Sequence, residues 1–354
     1  LKIMMNNQHI NNLNSKRFLI LKCGGFLLLF FVTIQSCLAQ NNDEWLHFKP
    51  ENSKIKNKKI VLISGDEEYR SEESLPMLAK ILTKHHGFET VVLFAIDPST
   101  KNINPEYQKN IPGLKQLEDA DLMIIATRFR ELPDDQMKFV DDYLKSGKPV
   151  IGMRTATHAF NFGEGSTSSY KHYAYNESSK EWKGGFGQQV LGVTWVNHHG
   201  DHGKEGTRAI INGLEEINNQ PILLGVDDIW GASDVYGIDQ NLKDATILLY
   251  GQPTLGMHDT AKINWQKSTL PVAWTKSYQL PEGKLGKAFT TTMGASVDFK
   301  SEDLRRLIIN ASYWALDLEN LIKPDLNVEV VQGFQPHMFG FGAHKKGTTP
   351  ADYQ

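Results

Sequence analysis

Cysteine is almost missing from this chain. Two occur in 354 residues, Cys23 and Cys37, and both stand within the first forty. Lys16-Arg17 precede a run over 18–34 that is apolar apart from Lys22, two glycines and Thr33, and small residues follow at Ser36-Cys37-Leu38-Ala39. A basic flank, a short apolar run and a small-residue end describe a signal peptide over 1–39, too short and too poorly flanked to be read as a spanning helix. Export is therefore expected, with the protein periplasmic or secreted. Cleavage after Ala39 would leave Gln40 first and no cysteine, which excludes disulfides, zinc–thiolate sites and cysteine nucleophiles together. A second outcome stays open: Ile34-Gln35-Ser36-Cys37 read as a loose lipobox, with Cys37 carrying a lipid anchor.

Basic runs are absent too. Four of the 38 basic residues (Lys2, Lys16, Arg17, Lys22) leave with the leader and no acid does, so 34 face 41 acidic residues, a net charge of −7 with histidines neutral. With no basic stripe interleaved with aromatics, a nucleic-acid partner is excluded. No internal repeat and no low-complexity linker interrupt the chain. The expected division is a polar lead-in over 40–57, one domain over 58–320, and an extended tail over 321–354 that is rich in Gly, Phe, Pro and His.

What is present is a rhythm of apolar runs and helical patterns. Strands are expected at 59–65, 90–96, 121–127 and 149–152. Leu75, Leu78, Ala79, Ile81 and Leu82 repeat at helical spacing between the first two, and Met137, Val140 and Leu144 before the fourth. Strands apolar on both faces and separated by helices imply parallel pairing with right-handed crossovers, hence a doubly wound, mostly parallel α/β sheet of the flavodoxin type flanked by helices. Further strands are expected at 208–211, 245–250, 271–275 and 287–292, and a closing helix at 301–318.

Ligands of such sheets bind beyond the carboxyl ends of the strands. That rule gathers Asp66, Glu67, Glu68, Tyr69 and Arg70 after the first strand, Arg128 and Arg130 after the third, and Arg154 and His158 after the fourth. Each alone is as readily a surface ion pair or a satisfied buried group; their convergence is the signal. The densest cluster is Trp195-Val196-Asn197-His198-His199-Gly200-Asp201-His202-Gly203, with three of the twelve histidines inside five residues. Imidazole with carboxylate suits zinc, iron, manganese or nickel, and imidazole alone suits proton transfer. Adjacent histidines point in different directions, so at most two of the three would meet one ion.

The stretches ISGDEEYRSEE, DLMIIATRFRELPDDQM, GKPVIGMRTATHAF, GGFGQQVLGVTWVNHHGDHG, DDIWGASDVYGI, PVAWTKSY and TTMGASVDFKSEDLRRLIINASYWALDLE cover most of the chain after the leader. They resemble the ThuA-like (trehalose-utilisation) family, whose fold is related to class I glutamine amidotransferases. In those amidotransferases a strand leads into Gly-X-Cys-X-Gly. Here Gly152-Met153-Arg154-Thr155-Ala156 puts an arginine, charged at any working pH, where the nucleophile would stand, so glutaminase chemistry is rejected. Many members carry Gly-His-Ser where this chain has Gly294-Ala295-Ser296. Any imidazole must then come from His158 and the 198–202 cluster.

The resemblance implies sugar metabolism. The expectation is an enzyme that isomerises, eliminates or hydrolyses a sugar or keto-sugar. His158, His199 and His202 would be catalytic, Asp66, Glu68, Tyr69, Arg70, Arg128 and Arg154 would bind substrate, and His198, His199, Asp201 and His202 would bind a divalent metal. A small-molecule carbohydrate is the expected partner, with a homo-oligomer left open. The competing expectation is a non-catalytic carbohydrate-binding protein that kept the fold and lost the nucleophile.

Overall fold

Seven consecutive residues, KIVLISG, are buried along their whole length, which requires a strand covered on both faces. The structure, a computed structural model, describes residues 44–354 except 52–54, 56–57, 240–241 and 243; the leader expected at 1–39, with its two cysteines, lies outside them. In chain order the strands are β1 (Trp45–Phe48), β2 (Lys59–Gly65), β3 (Glu89–Phe94), β4 (Leu122–Thr127), β5 (Val150–Met153), β6 (Trp195–His198), β7 (Thr207–Ile211), β8 (Trp230–Gly231), β9 (Tyr236–Ile238), β10 (Ala245–Pro253), β11 (Leu270–Tyr278) and β12 (Gly286–Thr291). The helices are α1 (Ser71–Lys84), α2 (Asp134–Lys145), the single turn α3 (Glu215–Asn218) and α4 (Glu302–Ala315).

One sheet runs in the order β1-β3-β2-β4-β5-β12-β11-β10-β7-β8. Strands β3, β2, β4, β5 and β12 pair in parallel, and the second half continues antiparallel from β12 outward. Alternate residues of the parallel strands feed two cores. Ile60, Leu62, Val92 and Ile124 pack with the apolar stripes of α1 and α4, while Val61, Ile63, Val91 and Met123 pack with Met137, Val140 and Leu144 of α2. Helices on both faces make the sheet doubly wound, as the periodicity predicts. Among the described residues no helix is long and apolar enough to cross a membrane.

Two local readings are corrected. The lead-in carries β1, which pairs antiparallel with β3, Trp45 opposite Leu93; four residues among polar neighbours give no visible period. The stretch 195–198, read as part of a loop, is β6, paired with β9 in a separate two-stranded sheet. Its partner lies some forty residues on, beyond the reach of any local pattern.

Helix α1 opens with Glu72 and Glu73, acidic residues suited to the positive end of a helix. Glu72 is buried, its carboxyl oxygens find no hydrogen-bond donor among the described residues, and the nearest cation, Arg70 Nε, stands 3.7 Å away. Burial raises its pKa to about 8, against the pull of Arg70. In the unfolded chain this carboxyl would ionise near pH 4.5, so the folded state holds the extra proton. Stability from this group is full below that pH and is lost as pH rises towards 8, by a few kcal/mol at about 1.4 kcal/mol per unit. Glu72→Gln, which cannot ionise, is expected to match the wild type in thermal unfolding near pH 5 and to exceed it increasingly up to pH 8.

Candidate functional site

Strand β2 sends the chain to β3 on one side and, later, to β4 on the other, so the ends of β2 and β4 border the crevice where strand order reverses. The loops that follow β2, β4 and β5 each hold a non-glycine residue in the left-handed region: Arg70 (φ 60°), Phe129 (φ 52°) and Arg154 (φ 47°). Such conformations persist where the surroundings over-determine them, often at functional sites.

Asp66 ties two of these strand ends together. Its Oδ1 accepts the Glu68 and Tyr69 amides at 2.8 and 2.9 Å, and its Oδ2 accepts the Thr155 hydroxyl at 2.6 Å. Glu67 spans to the next strand, accepting from Arg128 and, at 3.0 Å, from Arg130. Burial raises the Glu67 carboxyl, although both arginines oppose it. Arg70 is buried and donates to the carbonyls of Glu67 and Gly340.

Arg154 occupies the turn after β5 and is 1% exposed. Its Nη1 donates to the carbonyls of Asp234 and Thr292 at 2.7 and 2.8 Å, and its Nη2 to Asp234 Oδ1 at 3.0 Å. The guanidinium lies over the Tyr236 ring at 3.7 Å and the Tyr69 ring at 4.3 Å. Both terminal nitrogens are thus engaged by protein, while the buried Nε meets no acceptor among the described residues: Arg154 holds the site's frame and does not open onto a ligand. Burial alone would raise the Asp234 carboxyl. The Arg154 charge and the imidazole hydrogen bonds outweigh it and hold the group at about 2.

Asp234 in turn holds two histidines. His198 Nδ1 meets Asp234 Oδ2 at 2.8 Å, and His202 Nδ1 meets Oδ1 at 3.1 Å. His202 Nε2 reaches Glu68 Oε1 at 3.1 Å, so its ring bridges two carboxyls. Glu68 is raised by burial and by Asp66, and lowered by His202. The approach of the 198–202 turn to Asp234 needs Gly200, where a Cβ would stand 2.9 Å from that of Asp234. Asp234 is placed through its neighbour Ser233, whose amide and hydroxyl donate to the buried Asp298 at 2.9 and 2.6 Å.

Aromatic rings surround the pair. Tyr69 and Tyr236 lie buried beneath, their ring centroids 6.2 Å apart, and Tyr236 is 5.6 Å from His198. His158 is buried beside Phe129 (5.1 Å) and Trp195 (5.3 Å), with Nδ1 3.1 Å from the Thr157 hydroxyl. Burial, aided by Arg128 and Arg154, keeps it well below the usual imidazole range and therefore neutral at physiological pH.

The structure thus brings together His158, His198, His202, Glu68, Tyr69 and Arg128, with Asp66, Arg70 and Arg154 as their supports. It does not bring in His199 or Asp201. His199 Nε2 meets the Ser268 carbonyl at 2.8 Å, and the exposed Asp201 pairs with Lys267 at 2.7 Å. On β6 and its extension successive side chains turn to opposite faces, which sends His199 away from His198. Asp234, the group on which both remaining histidines rest, was not singled out from the sequence. Its one signal is a lone carboxylate among small and apolar neighbours in Gly-Ala-Ser-Asp-Val-Tyr-Gly.

The family model for trehalose utilisation, ThuA, matches residues 59–315. No curated protein matches the chain. Among solved structures, a ThuA-like protein of Parabacteroides merdae is similar at 14% identity and a TM-score of 0.45, covering 84% of this chain and 99% of that one. An exo-beta-1,4-mannosidase of an Opitutaceae bacterium is similar at 10% identity and TM-score 0.32 over 73% of this chain and 36% of its own. The glutaminase domain of CTPS from Trypanosoma brucei is similar at 10% and 0.37, over 78% and 98%.

Removing one partner of a buried ion pair strands the other charge. Arg154→Ala is expected to destabilise the fold by about 3–5 kcal/mol, read as a shift in urea midpoint. Adding Asp234→Asn should restore part of that loss in a double-mutant cycle, whereas simple additivity would show that the two side chains are not coupled.

Proposed function

Since this chain belongs to the ThuA family of trehalose utilisation, we propose that it is an enzyme acting on a sugar or keto-sugar by histidine acid–base chemistry. The observation that carries this reading is the pair of imidazoles on Asp234. His198 Nδ1 bonds to the carboxylate, which fixes that nitrogen as the donor and leaves Nε2 basic. His202 bridges Asp234 and Glu68, its Nε2 3.1 Å from Glu68 Oε1, and the Glu68–His202 pair together would supply the acid. With ring centroids 4.5 Å apart, the base would take a proton from a carbon beside a carbonyl and the acid would deliver one to the oxygen. Isomerisation and elimination of a keto-sugar both begin with that transfer. The neutral His158 and the partly exposed Arg128 would orient hydroxyls.

A second reading is favoured by one further measurement: ligand atoms of His198, His202 and Asp234 lie within 4.8 Å of one another. Two imidazoles and a carboxylate fit zinc, iron, manganese or nickel in type, although Arg154 already offsets the charge of Asp234. Those three residues would hold the ion. Bound there, a divalent metal would polarise a sugar carbonyl.

Incubation in deuterated water with keto-sugars derived from glucose and trehalose is expected to give exchange at the carbon beside the carbonyl. His198→Ala should reduce it by about 10²-fold or more, and equal exchange in that variant would refute the base. Metal analysis of purified protein separates the two readings: a stoichiometric ion lost together with activity in His202→Ala supports the second. Export, read from residues 1–39, predicts that N-terminal sequencing of the mature protein starts at Gln40 and not at a modified Cys37.

A further inference from the structure

The rings at the sheet edge form a closed circuit around Tyr69 and Tyr236. Arg128 lies over Phe129 at 4.3 Å, Phe129 meets His158 at 5.1 Å, and His158 meets Trp195 at 5.3 Å. Trp195 meets His198 at 5.7 Å, His198 meets His202 at 4.5 Å, and His202 meets Phe339 at 5.5 Å. Two residues on, Phe341 lies back over Arg128 at 5.0 Å. Among the described residues it is the C-terminal tail that closes this circuit.

The tail is held in place there by bonds that its aromatic side chains do not supply. Gly340 donates its amide to the Glu68 carbonyl at 2.9 Å and accepts from the buried Arg70 guanidinium at 3.0 Å. His337 donates its amide to Glu73 at 3.0 Å and sets Nδ1 2.7 Å from the same carboxyl. Further along, Thr348 accepts the Ile103 amide at 2.8 Å. Between these anchors Phe339 is half-buried against Tyr69 at 5.1 Å, while Phe341 is 62% exposed. A single exposed phenylalanine is ordinary on a protein surface. One held rigidly on the rim of a site, beside a fixed cation, is placed for a ligand.

We propose that Phe339 and Phe341 are specificity-determining residues, the tail supplying the wall on which the apolar face of a sugar ring stacks next to His198 and His202. This rests on the carbohydrate reading given above. The C–H groups on one face of a pyranose match the negative face of an aromatic ring, while its edge hydroxyls meet the Arg128 donors and the imidazoles. The substrate class is a free sugar or small glycoside that presents an apolar ring face to Phe341 and hydroxyls to Arg128.

The test uses the full mature chain with glucose, trehalose and their keto derivatives, with binding followed by calorimetry and turnover by exchange. Phe341 bears no core contact that its removal would empty, so Phe341→Ala should fold as the wild type does. It is expected to weaken binding and raise KM about five- to tenfold, with a smaller change in kcat. Phe341→Trp should bind at least as well as the wild type, and Phe341→Leu should behave like the alanine variant. Unchanged affinity in both Phe341→Ala and Phe339→Ala would overturn the proposal, as would full affinity in Phe341→Leu. In that case loss of exchange in His198→Ala would still stand for the base. Turnover retained in His198→Ala with binding lost in Phe341→Ala would leave the wall and remove the base. A wild-type protein that binds none of these sugars overturns both.

Discussion

One buried ion pair organises the carboxyl edge of this sheet. Arg154 and Asp234 are both out of water, and the guanidinium also binds two carbonyls and lies between two tyrosine faces. The groups that meet here come from four parts of the chain: Arg154 from the turn after β5, Asp234 and Tyr236 from the start of β9 and the segment before it, Thr292 from the end of β12 and Tyr69 from the loop after β2. A buried pair of this kind adds little net stability compared with well-packed apolar residues, because desolvation offsets the attraction. Its contribution is positional. With Asp234 fixed and ionised, the two imidazoles that lean on it have defined nitrogens facing it and defined nitrogens facing away.

The neighbouring carboxyls divide in the same manner. Asp66 accepts two backbone amides and a hydroxyl, and Glu67 is shared by two arginines, so both serve the frame. Glu68 alone among the three meets an imidazole of the cluster. Three consecutive acidic residues thus do three different things, decided by the partner each meets across the crevice.

The parallel half of the fold was legible because burial on both faces leaves a continuous apolar run, and β2 to β5 read so directly. Strand β1 and the pairing of β6 with β9 were not, since short or half-exposed strands carry no period and their partners are distant in sequence. The site was legible to the extent that strand ends converge. The loop after β2, Arg128, Arg154 and His158 all lie where that rule puts them, whereas the 198–202 cluster stands out by its density of histidine. What it could not resolve was orientation: which of His198 and His199 turns inward, and whether Arg154 faces a ligand or the protein. Asp234 escaped because its role comes from Asp298 and Gly200, far along the chain in both directions.

The arginine in the turn after β5 also limits which chemistry that turn can hold. Placing a cysteine there would not create a nucleophile, because the thiol would sit buried beside an Asp234 carboxylate stripped of its countercharge. Both desolvation and that negative neighbour would oppose formation of the thiolate. The two tyrosine rings, deprived of the cation between them, would close on an empty slot. Exchanging this arginine alone would therefore leave its aspartate buried without a countercharge, so the two positions constrain each other.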